Sequence, residues 1–327
     1  MTELNSRSPA VFPLSADLAT AKYQIEPGCD QALPRLIADY LSASLSQNSR
    51  RAYSFDLKHF AAWGGAIPAT PESVAEYLAS HAQENSVATL ARRLVSIGKA
   101  HCVLGFPSPT ESELVRATLR GIRHIHGSAQ RQVSPAIKED LMRMVAGLDG
   151  IKGIRDRALL LIGFAGAFRR SELVSLAIED IEPVPQGLII NLRFSKTDQE
   201  GRGRKVAIPY ARGAVCPVIA LQAWLEISGI SEGPLFRAVN RHGVIAKASL
   251  TAQAVALVVK QRAQAAGLDP TQYAGHSLRA GLVTSAAVAG VSGWKIRQQT
   301  GHKSEAMLAR YIRDATIFVD NAAGAVL

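Results

Sequence analysis

The sequence is poor in cysteine: its three cysteines, Cys29, Cys102 and Cys216, lie far apart and form no CxxC pair. That spacing predicts reduced, structural thiols in a reducing compartment, and it argues against a disulfide framework and a structural zinc site. Long apolar runs are also missing, so we expect no membrane-spanning segment. The N-terminus has no basic start followed by an apolar stretch, which argues against a secretory signal and makes the cytoplasm the expected location.

Acidic residues are in the minority, since 27 aspartates and glutamates face 37 lysines and arginines, for a net charge of +10 and a pI of about 9.7. Almost the whole surplus of basic residues lies in residues 128–327. A positive surface favours a polyanionic partner such as nucleic acid, although many proteins are mildly basic without one. The charge by itself identifies no chemistry.

The length of 327 residues predicts two domains rather than one core. We predict a flexible arm over residues 1–30, a helical domain over 31–127, a polar linker over 128–134 and a second domain over 135–327. Helical periodicity dominates both domains, and residues 187–194 and 205–209 are typical of the two strands of a hairpin. The expected fold is therefore mainly α, with a small antiparallel β-sheet.

One helix of the first domain is predicted to begin near Ser86 and to carry Arg92, Arg93 and Lys99 on its exposed side. Basic residues on a helix surface are usually only solvated. The next predicted helix also has a basic outer face, and two such neighbours suit contacts with phosphates. We therefore predict that Arg92, Arg93 and Lys99 contact DNA.

Two pairs of residues at helical spacing are candidates for binding an anion. His276 and Arg279 fall near a predicted helix start, where backbone N–H groups favour negative charge. Arg169 follows a buried apolar segment and has Glu172 three residues later as an acidic partner. Each pair also has an ordinary structural explanation, and an HxxR motif alone is expected by chance.

Further candidates are Lys196, in the turn of the predicted hairpin, and His302 and Tyr311 near the C-terminus. A turn lysine is ordinarily solvated, and a tyrosine among apolar residues is ordinarily packed. The joint order is more specific, because the chain contains, in sequence, Arg169, Lys196, His276, Arg279, His302 and Tyr311. With the segments FRRSEL, SKT, GHSLR and GHKS around them, these residues resemble the signature of the tyrosine recombinase, or phage integrase, family. The length and the C-terminal tail are similar to those of its Cre-like members.

The resemblance implies a two-domain recombinase, with a helical core-binding domain before an α+β catalytic domain. Tyr311 would attack a DNA phosphate and form a 3′-phosphotyrosine link, with His276 taking its proton. Arg169 and Arg279 would clamp the non-bridging oxygens through paired N–H groups, which lysine cannot imitate.

The remaining roles also follow from the resemblance. His302 would donate a further hydrogen bond, Lys196 would protonate the departing 5′-oxygen, and Glu172 would orient Arg169 or His276. Since arginine and lysine supply the positive charge, no metal or other cofactor is expected. The chain also lacks the GxxxxGK[ST] motif of an ATP site. Arg170 stands where the family commonly has an apolar residue, and the register of the motif favours Arg169 as the arginine that faces the phosphate.

The expected partners are duplex DNA with an inverted-repeat site and further copies of the chain, as a homo-tetramer that joins two sites through a Holliday junction. The apolar residues Ile317, Phe318 and Val319 would belong to a terminal helix that packs on a neighbouring protomer rather than in cis. Two other interpretations stay open: a DNA-binding regulator that has lost catalysis, and a relaxase similar to type IB topoisomerases. The family resemblance does not separate an integrase, a transposase and a chromosome-dimer resolvase.

Overall fold

The computed structural model describes residues 46–128, 133–193, 203–302, 304, 308–309, 311–313, 317 and 323. The chain divides into two compact units, residues 1–131 and residues 132–327. The predicted arm, residues 1–30, lies outside the described residues. Within the described ranges, no helix is long and apolar enough to cross a membrane.

The described part of the first unit is helical. Its elements are α1 (Gln47–Ala62), α2 (Pro71–Ser80), α3 (Val87–Val103), a 3₁₀ turn (Pro109–Glu111) and α4 (Glu113–His126). The side chains of Ser46, Thr70 and Ser86 each accept a hydrogen bond from the backbone N–H three residues on, and they fix the starts of the first three helices. The apolar faces meet in one core, in which Phe60 and Leu90 are fully buried.

Arg93 is buried in this unit, so the expectation that it lies on the exposed side of α3 is wrong. The reason is Asp56, a fully buried carboxylate on α1, which needs a cation nearby. Arg92 Nη1 lies 3.0 Å and Arg93 Nε 4.0 Å from its oxygens, and the Arg93 guanidinium lies over the ring of Tyr77. Arg93 is therefore committed to the core, whereas Lys99 is exposed.

The second unit combines helices with two small antiparallel sheets. Its helices are α5 (Lys138–Val145), α6 (Gly150–Ala165), α7 (Arg170–Ser175), α8 (Pro217–Ser228), α9 (Ala252–Ala265), α10 (Ser277–Val288) and α11 (Gly293–Thr300). Its strands are β1 (Ile181–Val184), β2 (Gly187–Leu192), β3 (Arg204–Pro209), β4 (Arg237–Val239) and β5 (Ile245–Ser249). The sheets have the orders β1-β2-β3 and β4-β5. The prediction of a mainly helical chain with a small antiparallel sheet is confirmed.

The predicted hairpin is present as β2 and β3, which pair antiparallel with Leu188 opposite Ile208, Ile190 opposite Val206 and Leu192 opposite Arg204. The turn between the strands, residues 194–202, lies outside the described residues. The sequence does not predict β1 or the β4-β5 sheet, because these strands are short and lack a clear alternation of apolar and polar residues.

Helix α6 is the centre of the second unit and packs against α8 and α10. Residues 158–162 are all buried, which matches the apolar run of the sequence. At its C-terminal end the chain turns within the core and emerges at Arg169. The packed core thus fixes the position of Arg169, the first arginine of the signature, just after this helix.

Candidate active site

The turn after α6 forms one wall of the candidate site. Ala167 has a φ of 48°, a left-handed conformation that a residue other than glycine adopts only at a cost. Its carbonyl accepts a hydrogen bond from Arg279 Nη1 at 2.7 Å. The turn therefore places Arg279 beside the segment that carries Arg169, although the two arginines are far apart in sequence.

Glu172 binds Arg169 at the start of α7. The backbone N–H of Arg169 donates to Glu172 Oε2 at 2.9 Å, and Arg169 Nη1 pairs with Oε1 of the same buried carboxylate. The next residue, Arg170, is exposed, and its stem crosses Gly275 so closely that a Cβ there would lie 2.1 Å from Arg170 Cδ. Of the two arginines, Arg169 is the one held inside the cluster.

Arg279 and His276 lie at the start of α10, as predicted. Arg279 is only 1% exposed, and its Nη2 has no hydrogen-bond partner among the described residues. Burial, and after it the charge of Arg169, lowers the pKa of Arg279 to about 10. Buried cationic N–H groups nearly always have an acceptor, so this corner is suited to an anion.

Tyr311 points its hydroxyl at His276 of the same chain. The Tyr311 Oη lies 3.0 Å from His276 Nε2, while the ring packs beside a small apolar cluster that includes Ile296 and Leu308. Burial, followed by the charges of Arg279 and other arginines, lowers the pKa of His276 below its ordinary value of 6.5. A neutral imidazole at this distance can accept the phenolic proton.

His302 completes the cluster from the chain that follows α11. Its ring centroid is 6.4 Å from that of Tyr311, and its Nδ1 lies 2.7 Å from Thr300 Oγ1. Burial, followed by the charges of Arg279 and Arg169, lowers the pKa of His302 to about 3. At neutral pH the imidazole is therefore uncharged and acts only through hydrogen bonds.

Acidification is expected to destabilise the protein through His302. Its folded pKa of about 3 lies below the unfolded value of 6.5, so the unfolded chain takes up the proton first. The free energy of unfolding therefore decreases as the pH falls from 6.5 towards 3, and the decrease is about 2 kcal/mol at pH 5. Urea unfolding at pH 7 and pH 5 should show that the His302→Gln variant loses about 2 kcal/mol less than the wild type. An identical loss of unfolding free energy in both proteins would contradict the lowered pKa of His302.

Three residues of the site, Arg204, Gln299 and Thr300, are not predicted by the sequence. Arg204, the first residue of β3, donates from Nη1 to the backbone oxygen of Gln299 at 2.7 Å, and its Nη2 lies 3.8 Å from Glu172 Oε2. Thr300 is fully buried beside His302. Arg204 lies in the charged segment GRGRK, where a basic side chain is ordinarily solvated, so the pattern gives no signal of its burial.

The structure brings six of the predicted site residues into one cluster: Arg169, Glu172, His276, Arg279, His302 and Tyr311. Lys196 lies outside the described residues, as do Phe318 and Val319. Arg92, Arg93 and Lys99 belong to the first unit. In the part of the chain that the structure describes, no three His, Cys, Asp or Glu residues form a group that could hold a metal ion.

Comparison with known proteins gives consistent matches in sequence. The model of the phage integrase family matches residues 137–316. The chain is 42% identical over 293 residues to an integrase/recombinase XerD homolog of Selenomonas ruminantium, with 86% of each protein covered. It is 24% identical over 282 residues to the recombinase Cre of Escherichia phage P1, with 80% of each covered. The chain is thus more similar to this XerD homolog than to Cre.

Solved structures share the fold. The XerH site-specific recombinase, in a post-cleavage complex with a palindromic difH substrate, matches with a TM-score of 0.63 at 17% identity, covering 90% of this chain and 84% of that one. A lambda integrase tetramer bound to a Holliday junction matches with a TM-score of 0.60 at 17% identity, covering 86% and 76%. Because the sequence identities are low, these matches show that the chain has the same fold as these proteins.

Proposed function

The chain belongs to the phage integrase family of tyrosine recombinases. We propose that it cuts and rejoins duplex DNA at specific sites with Tyr311 as the nucleophile. One observation carries the proposal: the Tyr311 hydroxyl lies 3.0 Å from His276 Nε2. Tyr311 also interacts electrostatically with Arg279, whose buried Nη2 has no hydrogen-bond partner in the described chain. This grouping of a phenol, an imidazole and a free guanidinium nitrogen supports the roles of nucleophile, base and anion site.

In the proposed cleavage step His276 takes the phenolic proton, because a phenol is largely protonated at neutral pH. The Tyr311 oxygen forms a bond to phosphorus, and the bond between phosphorus and the 5′-oxygen breaks. Lys196 gives the departing oxygen its proton, which leaves a free 5′-hydroxyl and a 3′-phosphotyrosine. Because the phosphotyrosine conserves the ester bond, the same groups in reverse roles reseal the strand without a cofactor.

The arginines stabilise the charge that grows on the phosphoryl oxygens. Arg279 offers Nη2 while Nη1 is held by Ala167, so its guanidinium is fixed before DNA arrives. Arg169 is fixed in the same way by Glu172. Donors held in place beforehand need no reorganisation in the transition state, which is why such sites are effective.

His302 can donate from Nε2 to the phosphate only if its Nδ1 accepts a hydrogen bond. Thr300 Oγ1 lies 2.7 Å from Nδ1 and 3.4 Å from the backbone oxygen of Arg297, so its single hydrogen has two acceptors within reach. The shorter contact favours donation to Nδ1, which selects that tautomer. The Thr300→Val variant, which keeps the shape but loses the hydroxyl, is expected to cleave about 10-fold to 100-fold more slowly. Single-turnover cleavage measures this, with Thr284→Val, a half-buried threonine on α10, as the control. An unchanged rate would show that Thr300 does not set the tautomer.

We further propose that four protomers act on two sites through a Holliday junction. The second unit has an apolar cavity of about 530 Å³ between α5, α6 and the α10–α11 turn, lined by Leu141, Phe164, Leu282 and Val291 among others. This cavity suits the apolar segment Ile317, Phe318 and Val319 of a neighbouring protomer. A lambda integrase of the same fold is a tetramer bound to a Holliday junction, which supports the proposal of four protomers.

The experiment begins with selection of the bound duplex from a random library, where an inverted repeat is expected because half-sites mirror protein symmetry. The selected site is then nicked near the cleavage position, so that the released fragment diffuses away and the covalent product accumulates. Mass spectrometry of the digested product should place the DNA on Tyr311. Binding without any covalent product would favour a regulator, and relaxation of unrelated supercoiled plasmids would favour a topoisomerase-like enzyme.

A further inference from the structure

The side chain of Arg204, the first residue of β3, lies in a narrow space against the end of α11. Its Nη1 donates to the backbone oxygen of Gln299 at 2.7 Å, and most of the side chain is buried. This space exists because position 301 is glycine, since a Cβ there would lie 2.9 Å from Arg204 Nε. Gly301 also has a φ of 65°, which glycine adopts without strain. The turn into His302 is therefore built around this guanidinium.

The other end of the guanidinium faces Glu172. Arg204 Nη2 lies 3.8 Å from Glu172 Oε2, which is within ion-pair distance but too long for a hydrogen bond. This nitrogen is buried and has no hydrogen-bond partner in the part of the chain described. The same carboxylate holds Arg169, so one buried acid lies within ion-pair distance of two arginines.

Gln299 strengthens the connection. Its Nε2 donates to the backbone oxygens of Ala165 at 2.8 Å and Ala207 at 3.0 Å, which ties the end of α11 to the end of α6 and to β3. Arg204 is thus a junction of three parts of the site: the helix end before His302, the acid that orients Arg169, and the strand that follows the turn containing Lys196.

We propose that Arg204 is a positioning residue of the cleavage site, which fixes His302 and Arg169 relative to each other through Gln299 and Glu172. This inference rests on the proposed function. The charge of Arg204 is also one of the causes that lower the pKa of His302, so the guanidinium helps to keep that imidazole neutral. Lysine keeps the charge but cannot span both partners, because its single ammonium has no fork.

The test compares Arg204→Gln and Arg204→Lys in single-turnover cleavage of the nicked site. We expect Arg204→Gln to slow the cleavage step about 10-fold to 100-fold while the Kd for DNA changes less than about 3-fold, and Arg204→Lys to recover part of the loss. The matched control is Lys205→Gln, the next residue on β3, whose exposed side chain points to the opposite face. It should cleave at nearly the wild-type rate once bound.

Three readouts separate positioning from a purely structural role. The double variant Arg204→Gln/His302→Gln should be slowed much less than the product of the two single effects, because both changes disable the same hydrogen bond. Thermal unfolding must show the variants folded at the assay temperature. Amide hydrogen exchange at residues 300–302 of the free protein should rise about 10-fold in Arg204→Gln, a test that needs no activity.

The outcomes are distinct for the two proposals. A wild-type protein without covalent product overturns the proposed function, whereas the exchange measurement still decides whether Arg204 holds this turn. A wild-type protein that cleaves, together with an Arg204→Gln variant that cleaves equally fast or loses activity only in proportion to its unfolded fraction, overturns the inference alone. Multiplicative effects in the double variant would overturn it too.

Discussion

The Tyr311→Phe variant is expected to form no covalent DNA product, with a loss of at least about 10⁴-fold in cleavage, while its affinity for the site stays within about 2-fold. Phenylalanine keeps the ring that packs beside Ile296 and Leu308 but removes the oxygen that lies 3.0 Å from His276 Nε2. The covalent product is measured by incubating the protein with the nicked site and running a denaturing gel, and DNA binding is followed separately by mobility shift.

Tyr273→Phe is the matched control for the loss of a hydroxyl. Tyr273 donates to Asp140 Oδ2 at 2.8 Å, and burial together with that carboxylate raises the pKa of Tyr273 to about 12. Its removal should cost about 1 kcal/mol of stability and leave cleavage unchanged. Covalent product from Tyr311→Phe at the wild-type level would rule out Tyr311 as the nucleophile.

The Arg279→Lys variant is expected to cleave about 10²-fold to 10³-fold more slowly, the range typical for loss of a transition-state donor in a buried site. Arg279 uses Nη1 to hold the Ala167 carbonyl and leaves Nη2 for the phosphate. An ammonium is a single point of charge and cannot keep both contacts in these positions. The cleavage rate of the protein–DNA complex should fall, while the Kd for DNA should change less.

Arg155→Lys serves as the control for this change, because Arg155 is an equally buried arginine that pairs with Asp156 within α6. It should reproduce the loss of stability that follows from replacing a buried guanidinium, without the loss of cleavage. If Arg279→Lys and Arg155→Lys reduce cleavage equally, then the effect of Arg279 is one of folding and its assignment to the phosphate is wrong.

The parts of the site that could be predicted from the sequence are those with a strong local signature. The pairs Arg169 with Glu172 and His276 with Arg279 each lie within one helical turn, so spacing alone places them side by side. The buried run of α6 and the hairpin of β2 and β3 are likewise local patterns of apolar residues. Their agreement with the structure reflects interactions between near neighbours in the chain.

The parts that could not be predicted depend on long-range contacts. The sequence of α3 predicts Arg93 on the helix surface, but Arg93 is buried because it lies beside the buried carboxylate of Asp56 on α1. Arg204 is one of several charged residues after a turn, and only the approach of Gln299 and Glu172 gives it a place in the site. The left-handed residue of the turn after α6 is Ala167 and not its neighbour Gly166, so the sequence does not predict this backbone conformation.

The family, the order of the chemical groups and the local elements that carry them all follow from the sequence, because they depend on residue identity and short spacing. Three features depend on the folded chain: the Tyr311 hydroxyl meets His276 of its own chain, Arg170 stays exposed, and Arg204 connects Glu172 to the end of α11. Such contacts join residues tens to more than a hundred positions apart, and they arise when the core closes and every buried charge needs a partner.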